Sequence, residues 1–340
     1  MSNIYQVAKR AGVSITTVSR AINPETRSKV SSETLNRIDE VVHKTHYTPN
    51  FLAKNLSRTR YKTIGILLPY LPGIFFSDYY AKILSGVGDA IMATDHDFKL
   101  IMLRYDKKWD DYNFKAGQGV DALVIMHWHL FFSDKTVLGN LKIPFIVIND
   151  PEPNVRAHFV GGDNVLGGEL AAKHLHRMGH RKIAVLTGPA WSSDSRLRLA
   201  GFRSELKRRG AHLDLQRVIA ADYRKDKAAV LVEPLLTGPS KVTAIFCLND
   251  YMAFGVLEKL KQMRISCPGA ISVIGYDDER RAKYSSPPLT TVNVPLYELA
   301  KEATRKLVGH LNERKKPDEF IGETKFPATL VERKSVKDLS

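Results

Sequence analysis

The stretch VAKRAGVSITTVSRAIN, Val7 to Asn23, constrains this chain more than any other. Two short helical patterns meet at Gly12 with almost no chain between them. Val7, Ala8 and Ala11 form the apolar stripe of the first; Val18 and Ile22 form that of the second, and Ser14 stands where an N-cap belongs. Two small helices joined by a tight turn make a helix-turn-helix, whose second helix can enter a DNA major groove. The spacing predicts that this helix exposes Ile15, Thr16, Thr17, Ser19 and Arg20. Methyls, hydroxyls and a guanidinium suit base edges and phosphates. By itself the pattern also fits an ordinary helical hairpin.

The flanking residues favour the DNA reading. Asn3 and Gln6 have the spacing of a capping pair for the first helix. Ser31 opens a third helix over Ser32–His46, with Leu35, Ile38, Val41 and Val42 on one face. Residues 1–62 hold 11 Lys or Arg against 4 Asp or Glu. So local a positive surplus suits a polyanionic partner.

The whole chain has 340 residues and a formal net charge of +15. That length allows two or three domains with a real core. Met1 to Ala11 lacks the apolar run of a signal peptide, and no apolar run approaches ~18 residues, so no membrane span is expected. Cys247 and Cys267 are the only cysteines, which suggests a reducing compartment and no disulfide framework. The expected location is the cytoplasm.

Beyond the third helix, Thr48 to Lys62 reads TPNFLAKNLSRTRYK. Pro49 ends one element and Asn50 can cap another, but Phe51 to Leu56 is too short for a helix stable alone. The expected division is therefore 1–47, a helix-turn-helix domain; 48–62, a hinge helix and linker; and 63–340, a core. In the core, β-rich runs (Thr63–Leu68, Lys99–Leu103, Ala122–Met126, Pro144–Ile148, Lys182–Leu186, Thr243–Cys247, Ile271–Gly275) alternate with helical patterns (Tyr80–Ala93, Val165–Met178, Arg198–Arg209, Lys225–Leu236, Asp250–Met263). Such alternation predicts βαβ units. The fold class expected is an all-α N-terminal domain plus an α/β core of two doubly wound parallel-sheet subdomains, with a ligand cleft at the carboxyl ends of the strands.

The segments VAKRAGVSITTVSRAIN, YTPNFLAKNL, GDNVLGGELAAKHLHRMGHRKIAVLTGP, RLAGF, LNDYMAFGVLEKL, ISVIGYDD and SPPLTTV occur in an order and spacing that resemble the lac repressor (LacI/GalR) family along nearly the whole chain. The resemblance implies a homodimer that binds a pseudo-palindromic DNA operator. It also implies a periplasmic-binding-protein-like core that takes a small effector between its subdomains. Carried over by position, Ile15, Thr16 and Arg20 read bases, and Ser14, Ser19 and Asn23 contact phosphate. Leu56 falls where a leucine wedges into the minor groove, with Ala53 and Lys54 before it. In the core, Arg198, Asp277 and Asn249 fall at effector-binding positions. Tyr79, Tyr80, Trp128 and Tyr223 fall at aromatic positions, and Asp163 either lines the cleft or caps the helix near Val165. Paired donors and acceptors beside flat rings suit a sugar. A purine or another metabolite would use the same cleft.

Three places depart from the family pattern. Pro24 to Lys29 is longer than the usual turn after the recognition helix. PGIFFSD at Pro72–Asp78 is expanded, which loosens the alignment of Tyr79 and Tyr80. HWH at His127–His129 puts two histidines on one side of a strand, a spacing able to hold a metal, but no third ligand follows, so no metal is expected. Nor is any cofactor. The chain lacks GxSxG, HExxH and GxxxxGK[ST], and Gly86 and Gly88 lack the third glycine of GxGxxG. An enzyme is therefore not expected, and a secreted sugar-binding protein does not fit the N-terminal motif.

Overall fold

A computed structural model of the chain describes residues 3–23, 26–47, 62–70, 73–104, 119–132, 138, 141, 143–152, 155–237, 241–313, 316 and 319–340. The chain forms two compact units, residues 1–61 and 62–340. The hinge positions Ala53, Lys54 and Leu56 lie outside the described residues.

The first unit holds α1 (Ile4–Ala11), α2 (Ile15–Ile22) and α3 (Ser32–Thr45), with a short 3₁₀ turn at Arg27–Lys29. Its start signals act as the sequence predicts. Asn3 and Gln6 form a reciprocal capping box, and Ser14 and Ser31 accept from the backbone N–H of Thr17 and Thr34. Gly12 ends α1 at φ 63°, the left-handed conformation that costs glycine least. Val7, Ala8, Ala11, Val18, Ala21, Ile38 and Tyr47 make the buried core. Ala21 takes the buried place expected of Ile22, which packs at the margin.

The second unit is α/β. Its first half has β1 (Thr63–Tyr70), α4 (Asp78–Met92), β2 (Asp97–Arg104), β3 (Ala122–Met126), β4 (Phe145–Ile148) and β5 (His158–Gly162). Its second half has α5 (Asn164–Arg177), β6 (Ile183–Thr187), α6 (Ser193–Arg208), β7 (Val218–Ala220), α7 (Lys225–Leu231), α8 (Glu233–Leu236), β8 (Ala244–Cys247), α9 (Asp250–Gln262), β9 (Ser272–Tyr276), α10 (Arg280–Tyr284) and β10 (Thr290–Asn293). Then come α11 (Leu296–Asn312), β11 (Gly322–Phe326) and β12 (Thr329–Val331). The first sheet runs β11-β5-β4-β3-β1-β2 and the second β12-β10-β9-β8-β6-β7. Every pairing is parallel except β10 with β12. Continuous apolar runs such as Ile64–Pro69 form these strands because both sheet faces are covered.

The chain passes between the halves after β5, after β10 and after β11. These crossings touch one another: the N–H of Asp163 donates to the carbonyl of Phe326 at 2.7 Å. After β10, α11 returns to pack on α4. Gly86 permits the close approach, since a Cβ there would lie 2.2 Å from the carbonyl oxygen of Tyr297. This packing role accounts for a glycine inside α4. One apolar cluster spans both halves, and a second covers the other face of the first sheet.

Several expectations change. Strands β5, β7, β10, β11 and β12 go beyond those expected. The pattern Lys225–Leu236 is two helices, because Pro234 in the first turn of α8 has no N–H to continue α7. The first core helix, expected from Tyr80, begins at Asp78, so Tyr79 and Tyr80 both lie in its first turn. The histidines of HWH are not on a strand: β3 ends at Met126, His127 is left-handed at φ 51°, and Trp128–Leu130 is a 3₁₀ turn. The two rings diverge, His127 toward Tyr79 and Tyr80, His129 onto Trp128.

Candidate functional site

Two surfaces carry the chemistry. On α2, Ile15, Thr16, Ser19 and Arg20 are exposed. Ser14 is exposed but caps the helix, Thr17 and Asn23 are half-buried, and the Thr17 hydroxyl lies 2.8 Å from Ser14 Oγ. The long turn after α2 serves that helix. Thr26 Oγ1 donates to the carbonyl of Arg20 at 3.1 Å, and Arg27 Nη1 donates to that of Ala21 at 2.8 Å. The last carbonyls of α2 therefore have side-chain partners from this turn. Arg27 is in turn held by Asp39.

The second surface lies at the carboxyl ends of the strands, where the two halves of the core meet. Non-glycine residues with positive φ cluster here: His127 after β3, Asn149 and Asp150 after β4, Asp222 and Tyr223 after β7, Asp277 and Asp278 after β9. Left-handed backbone at such residues costs energy and persists where the surroundings impose it, which singles out functional loops.

Arg198 stands at the centre, 6% exposed. Its Nε donates to Asn164 Oδ1 at 2.8 Å, one Nη donates to the carbonyl of Leu248 at 2.5 Å, and its plane lies 3.7 Å above the Tyr276 ring. Asp277 is 3.6 Å away. Burial opposes the guanidinium charge, but Asp277 and neighbouring tyrosines hold its pKa above the ordinary value. Burial pushes the Asp277 carboxyl up to about 6 against the pull of Arg198. Asp277 Oδ1, though buried, has no hydrogen-bond partner among the described residues.

Across from Arg198, Asp150 and Asp194 join the two halves. The Asp150 N–H donates to Asp194 Oδ1 at 3.0 Å, and Ser192 Oγ donates to Asp150 Oδ1 at 2.8 Å. Asn164 Nδ2 also donates to Asp194 Oδ1, at 2.8 Å. Burial and the charge of Asp150 push Asp194 up to about 7. Burial raises Asp150 too, but its bond to His127 and the charge beside it bring the carboxyl down to about 2. Tyr79, Tyr80 and Tyr223 complete the lining. Asn149 Nδ2 donates to Tyr79 Oη at 2.7 Å, and Tyr223 Oη is 3.4 Å from Ser192 Oγ.

Of the residues expected at this cleft, the structure brings together Tyr79, Tyr80, Arg198, Tyr223 and Asp277. Asp163 and Asn249 act as N-caps, accepting from the N–H of Leu166 at 3.0 Å and of Met252 at 2.9 Å. Trp128 is buried in the second apolar cluster, its indole N–H donating to the carbonyl of Asp150 at 3.1 Å. Asn149, Asp150, Asn164, Ser192, Asp194 and His127 join the cleft without having been expected there. Asn149 and Asp150 directly follow the strand IVI, so applying the strand-end rule to every strand would have found them. Among the described residues no His, Cys, Asp or Glu group could hold a metal, and no helix is long and apolar enough to cross a membrane.

A DNA-reading helical unit joined to a two-lobed ligand-binding core defines a ligand-responsive regulator. The chain matches the family model "Bacterial regulatory proteins, lacI family" over residues 3–50 and "Periplasmic binding protein-like domain" over 172–336. It is 31% identical to the HTH-type transcriptional repressor PurR of Vibrio cholerae serotype O1 (strain M66-2), over 100% of this chain and 99% of that one. The lac repressor dimer bound to operator and an anti-inducer superposes with a TM-score of 0.81 at 24% identity, covering 99% of each chain. A LacI family regulator from Enterococcus faecium with bound ribose gives 0.71 at 27% identity, covering 82% of this chain and 100% of that one. The chain belongs to the lacI family of bacterial regulators, a family of DNA-binding transcriptional repressors and not of enzymes.

Proposed function

We propose that this regulator acts in the cytoplasm as a homodimeric repressor of a pseudo-palindromic operator, and that a sugar in the core cleft sets its operator affinity. The observation that carries this is the cluster around Arg198: buried acceptors and donors from both halves, interleaved with tyrosine rings. Hydroxyls of a sugar fit such acceptors, and its CH faces fit the rings. The relative with bound ribose supports the choice. In the DNA unit, Ile15, Thr16 and Arg20 read bases while Ser14, Ser19 and Asn23 hold phosphates. Leu56, flanked by Ala53 and Lys54, is proposed to wedge into the minor groove on the strength of the family resemblance. The dimer is supported by apolar residues left exposed at the edge strand β2, Phe98 and Leu100, and by exposed Tyr251 and Tyr284.

A ligand shifts operator affinity only through its different affinity for two states. The test is an operator titration with and without ligands drawn from a thermal-shift panel of sugars and purines. A sugar that alters operator affinity in the wild type but not in Asp277→Asn supports the reading. A purine that does so instead establishes the second reading, which the three tyrosines lining the cleft favour. An Asp277→Asn protein that responds at the wild-type ligand concentration would overturn the cleft assignment.

A further inference from the structure

We infer that the cleft selects effectors by charge: it takes neutral or amine-bearing molecules and rejects phosphorylated or carboxylated ones. The inference deepens the reading of the cleft as the effector site. Three carboxylates face it, Asp150, Asp194 and Asp277, each at most 5% exposed. The cations near them are already engaged. Arg198 is bound to Asn164 and to the carbonyl of Leu248 and faces Asp277 at 3.6 Å. Lys82 donates to the carbonyl of Asp278 at 2.7 Å and lies 3.4 Å from Asp78. His127 Nδ1 is hydrogen-bonded to Asp150 Oδ2 at 3.2 Å.

A phosphate or carboxylate entering here would meet Arg198 and Lys82 already facing Asp277 and Asp78, and buried negative charge beside it. Repulsion in a poorly solvated site is screened far less than in water. One acceptor, in contrast, is unfilled. Asp277 Oδ1 is buried with no hydrogen-bond partner among the described residues. A buried acceptor left empty is unfavourable, so a ligand that brings donors is rewarded and one that brings more acceptors is not. Hydroxyls and ammonium groups are donors; ionised phosphate and carboxylate are acceptors only.

The test is calorimetric titration of the full chain at pH 8, above the range in which Asp194 and Asp277 titrate, with matched sets: ribose with ribose 5-phosphate; glucose with glucosamine, glucose 6-phosphate and glucuronate; adenosine with its 5′-monophosphate. In whichever set binds, the neutral or amine member should bind at least about tenfold tighter than its anionic partner. Asp194→Asn should narrow that gap. The set that binds decides between sugar and purine, and so tests the sugar reading separately. Equal or tighter binding of the anionic member, an unchanged gap in Asp194→Asn, or no binding in any set overturns the inference.

Discussion

The two units place functional side chains under opposite physical conditions. On α2, Ile15, Thr16, Ser19 and Arg20 stand in solvent. A capped eight-residue helix, the turn after it and a small apolar core position them. In the core, Arg198, Asp194 and Asp277 are almost wholly buried, on strained backbone or bonded to partners from other elements. Exposed groups such as these contribute little to folding, and on the proposed reading their energy comes from DNA. Buried charges are already fixed in the absence of ligand, so altering one disturbs stability as well as binding. Substitutions should separate accordingly.

The largest effect is expected at Arg198. Arg198→Ala leaves Asp277 facing no guanidinium and takes donors from Asn164 Oδ1 and the carbonyl of Leu248. Removing one partner of a buried pair costs about 3–5 kcal/mol. Calorimetric melting of the full chain should show the core transition fall steeply while that of residues 1–61 stays in place. Adding Asp277→Asn should recover part of the loss. A core transition within a degree of wild type would mean that the pair contributes nothing net.

A smaller, pH-dependent effect is expected from the carboxyls. Asp194 and Asp277 titrate near 7 and 6 when folded, above an unfolded aspartate. Between about pH 4 and pH 7 the folded state therefore holds protons that the unfolded chain has released, and the stability these groups confer is lost as pH rises through that window. His129, His158, His174, His176 and His180 have folded pKa values lowered by burial, so they destabilise the fold as pH falls below about 6.5. The difference between wild type and Asp194→Asn isolates the carboxyl. Relative to wild type, the variant should gain about 1–3 kcal/mol in urea melts between pH 5 and pH 8. A difference that does not change with pH would show that Asp194 is already ionised at pH 5.

The same contrast governs what the sequence revealed. The helix-turn-helix was legible because its determinants are local: Asn3 with Gln6, Ser14 with Thr17, and Gly12 between them. The central strands were legible as apolar runs. β11, GETKF, was not, because charged and polar residues alternate along an edge strand. The pairing of Asp150 with Asp194 was hidden for another reason. The two are 44 residues apart in sequence and come from opposite halves of the core. Local pattern does not encode that juxtaposition. The resemblance supplied Arg198 and Asp277, which the structure brings face to face, but not the hydrogen-bond partners of Arg198, Asn164 and Leu248.

On the exposed side of the comparison, Arg20→Ala should lower specific operator affinity by about 1–3 kcal/mol and relax preference at one base pair per half-site. The core transition and ligand affinity should not move. Binding to a library of operator variants measures this. An equal loss on every sequence would make Arg20 a phosphate contact.

The smallest effect should come from the caps, which bear on the DNA unit alone. Ser31 Oγ accepts from the N–H of Thr34 at 3.4 Å, a long bond, whereas the Asn3 side chain accepts from the Gln6 N–H at 3.0 Å and the Gln6 side chain accepts in return from the Asn3 N–H. Loss of a cap costs about 0.5–2 kcal/mol, and a long bond belongs at the low end. Ser31→Ala should therefore destabilise the helical unit less than Asn3→Ala, and neither should touch the core. Hydrogen exchange on the full chain reads the difference. Amides in residues 3–47 should exchange faster in Asn3→Ala than in Ser31→Ala, while those of β8 and β9 keep wild-type protection. Faster exchange in those strands would show that the two units do not hold their stability separately, and the contrast between an independent reading head and a preorganised cleft would fail.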